Sequence, residues 1–159
     1  MKRYINYLKY FLRHKWFVFR AGRYLMVSPR RLLLHDMSKL KPREFFAYAH
    51  CFYDENGNNR YEESINFDIA WNYHQKDNPH HWQYWVLLED SGKTKPIPMP
   101  SEYIEEMVAD WAGAGKAIHG RWEVSEWYEK NKHKMNLHPS TSEYVDILLK
   151  RFDLWCRIK

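Results

Sequence analysis

The sequence contains little cysteine, with only Cys51 and Cys156 among its 159 residues. Each cysteine stands alone in an apolar helical pattern, and no Cys-x-x-Cys spacing occurs. This usage argues against a disulfide framework and against a cysteine-based zinc knuckle, and it favours reduced thiols in a cytoplasm. We therefore expect the chemistry of the protein to use other side chains.

Long hydrophobic runs are also missing. The apolar runs 16–19 and 32–34 are far too short for a membrane span or for the core of a signal peptide. The sequence therefore predicts a cytoplasmic protein that has no membrane partner. It leaves the oligomeric state open.

The first 35 residues lack acidic side chains. They carry nine basic residues, whereas 16 basic and 20 acidic residues follow them. Such a segment suits a phosphate-bearing ligand, a nucleic acid or an anionic surface, and it is equally compatible with a solvated helix face. The nine residues are Lys2, Arg3, Lys9, Arg13, Lys15, Arg20, Arg23, Arg30 and Arg31.

Apolar and aromatic residues are abundant, at 45% and 18% of the chain, which argues against a disordered protein. A chain of this length can bury one sizeable core, and it shows neither an internal repeat nor a linker. The sequence therefore predicts a single domain over residues 1–159.

Helical spacing of apolar residues dominates the chain. Two short runs, 84–88 and 94–99, flank Ser91-Gly92 and predict a small β-hairpin. The expected fold class is all-α, a compact helical bundle with this hairpin. Helices are predicted over residues 3–27, 29–35, 42–53, 62–75, 102–118, 123–134 and 141–158.

The segment His35-Asp36-Met37-Ser38-Lys39 offers two metal ligands of different charge at neighbouring positions. His14, His74 and Asp110 lie on the predicted buried faces of three different helices, and His80-His81 follow in a turn. Buried imidazoles and carboxylates are costly unless they are paired or coordinated, so one metal site would explain the set. Alternatively, the histidines are hydrogen-bonded core residues and Asp110 pairs with a basic residue of the N-terminal segment.

Seven candidate ligands are enough for one or two divalent metal ions. Nitrogen and oxygen donors without thiolate favour manganese or iron over zinc, nickel or magnesium. The candidates are His14, His35, Asp36, His74, His80, His81 and Asp110.

The order of these residues resembles the HD-domain superfamily of metal-dependent phosphohydrolases, whose signature is an isolated His, a His-Asp doublet and a later Asp on helices. Residues 35–39 are similar to the H-D-x-G-K form of HD-GYP-type members, with Ser38 in place of the common glycine. Ala109-Asp110-Trp111 resembles the closing alanine-aspartate. The chain also resembles a family of small phage and bacterial proteins with H-D-x-S-K and N-P-H-H-W segments, which brings no established activity.

The resemblance implies an HD-type helical fold and metal binding by the His-Asp doublet, His74, Asp110 and His14. The interval of 20 residues between His14 and His35 is shorter than in most members. His80 or His81 would supply a second ion, and the choice between them stays open.

A phosphohydrolase is the first functional hypothesis. It would hydrolyse a small phosphorylated substrate, a nucleotide or another phosphomonoester or phosphodiester, with a metal-activated water. The resemblance implies that Lys39 neutralises phosphate charge, and Arg30 or Arg31 would help to hold the phosphate. Glu44 would act as a base behind the ligands, or alternatively would only interact with the N-terminus of its helix.

Two other hypotheses stay open. Some HD-type scaffolds hold a di-iron centre that activates oxygen, which would make the protein an oxygenase. In the other hypothesis, the basic N-terminal helix binds nucleic acid without catalysis, through phosphate contacts and stacking on aromatic side chains. The candidate aromatic residues are Tyr4, Tyr7, Trp16 and Tyr24.

Overall fold

A computed structural model describes residues 1–158 of the chain. In this part of the chain, seven α-helices and two short strands are joined by three 3₁₀ turns, at 37–40, 82–85 and 132–134. The elements are α1 (Lys2–Tyr24), α2 (Pro29–Leu34), α3 (Pro42–Phe52), α4 (Ile65–Asp77), β1 (Val86–Leu88), β2 (Thr94–Pro96), α5 (Ser101–His119), α6 (Val124–Asn131) and α7 (Pro139–Ile158).

The predicted all-α class with a small hairpin is confirmed. The two strands pair antiparallel, with Val86 opposite Pro96 and Leu88 opposite Thr94. Each strand is an edge strand, which is where a proline is tolerated. None of the helices in residues 1–158 has the length and hydrophobicity needed to span a bilayer.

Two helix boundaries in the structure differ from the predicted ones. The helix predicted over 62–75 begins at Ile65, because the Ser64 side chain accepts a hydrogen bond from the backbone N–H of Phe67 at 3.2 Å. The helix predicted over 123–134 ends at Asn131 and continues as a 3₁₀ turn.

The most extensive helix contact is between α1 and α5. The two backbones approach closely at Gly113, where a Cβ atom would lie 2.6 Å from the backbone nitrogen of Val18. Glycine is therefore required at this crossing. His14 lies one turn before Val18, and Asp110 lies one turn before Gly113, so the same crossing brings His14 towards Asp110.

Two hydrophobic clusters flank this region, and α1 contributes to both. The larger cluster includes Val18, Met107 and Phe152, and the smaller one is formed by Tyr7, Tyr48, Ala49 and Ala70. His14 lies between Tyr7 and Val18 along α1, so it is placed at the junction of the two apolar clusters.

Candidate metal centre

The His35-Asp36 doublet lies where α2 ends, and both side chains are buried. Asp36 adopts the left-handed conformation, with φ 58° and ψ 14°. This conformation costs about 1 kcal/mol for a residue with a Cβ atom, and aspartate tolerates it better than most residues. A left-handed residue directly after the cap is a common way to end a helix, and here it is an aspartate in place of the usual glycine.

A first group of ligand atoms lies between α1, α5 and the doublet. The His14 Nε2 atom is 3.1 Å from Asp110 Oδ1 and 3.4 Å from Asp36 Oδ2. The His35 Nε2 atom is 3.3 Å from Asp110 Oδ1 and 3.5 Å from Asp36 Oδ2. These four residues each offer a ligand atom within 4.8 Å of the others.

A second group uses the other oxygen of Asp36. Its Oδ1 atom is 3.2 Å from His74 Nε2 and 3.4 Å from His80 Nε2. His81 completes this group, whose ligand atoms also lie within 4.8 Å of one another. Asp36 thus belongs to both groups and faces each with a different oxygen.

The atoms that face the two groups are buried, and among the described residues none of their contacts with one another has the geometry of a hydrogen bond. Buried polar atoms are normally satisfied, so a cluster of orphaned atoms requires an explanation. A metal ion would coordinate all of them, and the donor set of imidazoles and carboxylates fits one. The orphaned atoms are Asp36 Oδ1 and the Nε2 atoms of His14, His35, His74, His80 and His81.

Two buried carboxylates lie behind the histidines. His74 donates from Nδ1 to Glu44 Oε2 at 2.9 Å, and His35 donates from Nδ1 to Glu106 Oε1 at the same distance. The Nδ1 atom of His80 is 3.4 Å from Glu106. A proton on Nδ1 leaves the Nε2 lone pair free, so these carboxylates select the tautomer that coordinates a metal.

Ser38, which replaces the glycine of the H-D-x-G-K pattern, contacts both Glu44 and His74. Its hydroxyl donates to Glu44 Oε2 at 2.8 Å and lies 2.9 Å from His74 Nδ1. The serine therefore holds the carboxylate that orients His74.

Glu106 is the site residue that sequence reasoning missed. It lies one turn before Asp110 on the buried face of α5. A second acidic residue four positions from Asp110 on an apolar stripe was the available signal.

Burial and neighbouring charges together shift the pKa values of the residues in this cluster. Burial alone would raise the pKa of Asp36, but the adjacent His35 and Lys39 hold it well below its usual range. Burial alone would lower the pKa of His35, but Asp36 and the other carboxylates raise it to about 10. Burial, together with the charge of His80, holds the pKa of His81 well below its usual range. At neutral pH, Asp36 and His81 are thus in the states that a metal requires, whereas His35 would release a proton on binding one.

The three predicted phosphate-binding residues are in two different places. Lys39 contacts the cluster, with its Nζ atom 2.6 Å from Asp36 Oδ2. Arg31 instead contacts Glu106 at 3.4 Å, and it lines a depression of about 380 Å³ together with Arg30, His35 and His80. The structure therefore brings Lys39 against the shared aspartate and places the two arginines behind the histidines.

An aromatic cavity of about 360 Å³ opens onto both ligand groups. Tyr10 stacks on His14 with ring centroids 6.1 Å apart, and Trp71 stacks on His74 at 5.7 Å. The cavity is lined by Tyr7, Tyr10, Phe11, His14, Lys39, Tyr48, Phe52, Tyr61, Phe67, Trp71, His81, Asp110 and Ala114.

Comparison with known proteins identifies a family. Residues 3–151 match the model of a family described as "Family of unknown function (DUF5662)". The chain belongs to this family. No curated protein and no solved structure matches the chain. The description of DUF5662 assigns no activity, and the resemblance to HD-domain enzymes stays a prediction.

The two carboxylates behind the histidines of this DUF5662 chain give a first prediction. Glu44→Gln and Glu106→Gln are each expected to weaken metal affinity by about 10- to 100-fold, because a neutral amide accepts the Nδ1 proton more weakly than a carboxylate and no longer raises the basicity of the ligand. Titration of metal-free protein with Mn²⁺ by calorimetry measures the effect.

Glu102→Gln is the matched control for this experiment. Glu102 is exposed on the same helix as Glu106, so its substitution is expected to leave the affinity at the parental value. Parental affinity in both Glu44→Gln and Glu106→Gln would show that these carboxylates do not orient the ligands.

Proposed function

We propose that this DUF5662 chain is a phosphohydrolase that uses two divalent ions, manganese or iron, to hydrolyse a small phosphorylated substrate. The observation that carries the proposal is the position of Asp36, which faces two groups of orphaned ligand atoms with opposite oxygens. A carboxylate shared in this way suits a pair of ions, the arrangement typical of hydrolytic two-metal sites.

The ligands divide into two sets with Asp36 in common. One ion would be held by His14, His35 and Asp110, and the other by His74, His80 and His81. Bound ions would supply Lewis acidity, which lowers the pKa of a water and neutralises charge on phosphoryl oxygens.

Lys39 is the one lysine among the described residues that line the cavity. Its contact with Asp36 keeps it charged and fixes it beside the shared ligand, where it can attract a phosphate. Aromatic side chains line the same cavity, and partial burial among them strengthens each charge interaction of Lys39.

The geometry supports a positioning role for Glu44. Its carboxylate is fully buried and contacts His74 and Ser38, and it does not line the cavity. Glu44 therefore holds the imidazole proton of a ligand, which supports a positioning role in place of the base expected from the sequence.

A nucleotide is the substrate class that the cavity suits best. Its volume is within the range of small-molecule sites, and its aromatic walls can pack against a flat ring. A phosphate at Lys39 would then place the ring against Phe67 or Trp71.

Lys39→Met tests the proposed hydrolase. Protein loaded with Mn²⁺ or Fe²⁺ is expected to release phosphate from nucleotides or from p-nitrophenyl phosphate. Lys39→Met is expected to retain the metal and to lower kcat/KM by about 100-fold, because a charge that stabilises the phosphoryl group is lost. Phosphate release and elemental analysis are the two measurements.

Lys41→Met is the control for this variant. Lys41 is an exposed residue two positions away that pairs with Asp77, and its substitution is expected to leave hydrolysis at the parental rate. If metal-loaded parent protein hydrolyses none of the phosphomonoesters and phosphodiesters offered, the hydrolase proposal is wrong.

The same ligands would also suit a di-iron oxygenase, because imidazoles and carboxylates are ligands of iron. Oxygen uptake by iron-loaded protein, together with an absence of phosphate release, would favour that function. The nucleic-acid hypothesis loses one expected contact, since Tyr7 is buried in the smaller core and is not available for stacking at the surface.

A further inference from the structure

Two tyrosine hydroxyls beside the candidate metal centre are buried and unpartnered. Tyr7 on α1 and Tyr48 on α3 are 1% and 5% exposed, and neither hydroxyl has a hydrogen-bond partner among the described residues. Their rings lie 6.2 Å apart, and both residues line the aromatic cavity.

Packing alone does not explain these two hydroxyls. A buried hydroxyl without a partner destabilises the folded state, and phenylalanine would fill the same space without that cost. Phenylalanine is present in the same wall, at Phe52 and Phe67. The two oxygens are therefore a polar feature that packing does not explain, in a cavity whose lining also includes Tyr10, Tyr61 and Trp71.

The ring of Tyr48 lies close to a positive charge. The Lys39 Nζ atom is 5.7 Å from the centroid of the Tyr48 ring and lines the same cavity. Burial raises the pKa of Tyr7 and of Tyr48, so both phenols keep their protons at neutral pH and each can donate a hydrogen bond. Among the described residues that line the cavity, Lys39 thus supplies an ammonium group, and Tyr7 and Tyr48 supply neutral donors that have no partner.

The size of the cavity favours a ligand larger than a water molecule. Its volume of about 360 Å³ is roughly ten times the 30 Å³ share of one water in the liquid. The ammonium group of Lys39 and the two phenol hydroxyls are all donors, and the oxygens of an anion are acceptors that match all three.

We propose that Tyr7, Tyr48 and Lys39 form an anion-binding subsite, which holds the tetrahedral oxyanion of a phosphorylated ligand next to the metal ligands His14, His81 and Asp110. The identification of that ligand as a substrate rests on the proposed function, but the binding of the anion does not. The two hydroxyls donate to different oxygens of the phosphate, and Lys39 balances its charge. The remaining aromatic wall is left for the organic part of the ligand.

Tyr7→Phe, Tyr48→Phe and the double variant test the subsite. Each substitution removes one oxygen and keeps the ring, so the metal content and the fold are expected to be unchanged. Titration of the metal-loaded proteins with inorganic phosphate, followed by calorimetry, is expected to show affinity about tenfold lower in each single variant and about 100-fold lower in the double variant. The thermal midpoint is expected to stay level or to rise, because an orphaned buried hydroxyl has been removed.

Tyr73→Phe is the matched control. Tyr73 is an exposed tyrosine on α4 that contacts Arg43 and does not line the cavity, so parental phosphate affinity is expected. Parental phosphate affinity in the double variant would overturn the proposal. A fall in the thermal midpoint of several degrees in each variant would also overturn it, because the hydroxyls would then have a structural partner.

The outcomes separate the subsite from the proposed activity. If the parent binds phosphate and the Phe variants lose that binding, the subsite is supported even when no ester is hydrolysed, and the hydrolase function alone fails. If the parent hydrolyses an ester and the Phe variants keep the parental phosphate affinity, the hydrolase function is supported and the subsite is overturned.

Discussion

Asp36→Asn is expected to remove metal from both ligand groups at once, from about two equivalents per chain to none. Asp36 is the one residue shared by the two groups, and its carboxylate is the ligand that would bridge them. Asparagine keeps the size of the side chain and tolerates the left-handed conformation, so the backbone at this position is expected to persist. Elemental analysis of purified, folded protein measures the loss.

Two further variants provide comparisons for this experiment. His14→Ala removes a ligand of the first group only, and it is expected to leave about one equivalent in the second group. His133→Ala changes an exposed histidine outside the site and is expected to keep the parental content. Retention of both equivalents by Asp36→Asn would show that the aspartate does not bridge the groups.

Removal of metal is expected to lower the thermal midpoint by about 10 °C. At free metal about 1,000 times above the dissociation constant, binding stabilises the folded state by about 4 kcal/mol, and each kcal/mol shifts the midpoint by about 2–4 °C in a chain of this size. Without metal, six buried imidazole nitrogens lack hydrogen-bond partners among the described residues. Thermal unfolding of metal-loaded and chelator-treated protein, with recovery after metal is added back, measures the shift.

The Asp36→Asn variant is the control for chelation. Because it is expected to be metal-free already, a chelator should leave its midpoint unchanged. If the chelator lowers the thermal midpoint of the parent and of the variant equally, it destabilises the fold by a mechanism other than removal of metal from this centre. If the parent protein contains metal but its thermal midpoint does not change when the chelator is added, metal binding at this centre is not coupled to stability.

The spacing of apolar residues predicted much of the fold, because helix formation depends on residues that are close together in the sequence. Apolar spacing placed His14 on the face of α1 that carries Tyr7 and Val18, and the structure buries all three. The same reasoning assigned His74 and Asp110 to buried faces of α4 and α5, where they lie. Helix ends were less accurate, since a single cap such as Ser64 moves a boundary by several residues.

The sequence by itself determined the all-α class, the small hairpin and the seven candidate ligands, because helical periodicity and residue chemistry are local properties. Only the tertiary structure decided how those ligands divide into two groups, since distances between helices depend on the close crossing at Gly113 and on the left-handed backbone of Asp36. The same packing placed Glu106 behind His35, kept Arg31 away from Asp36 and brought two tyrosine hydroxyls to the cavity. These relations join residues far apart in the chain, and no local pattern encodes them.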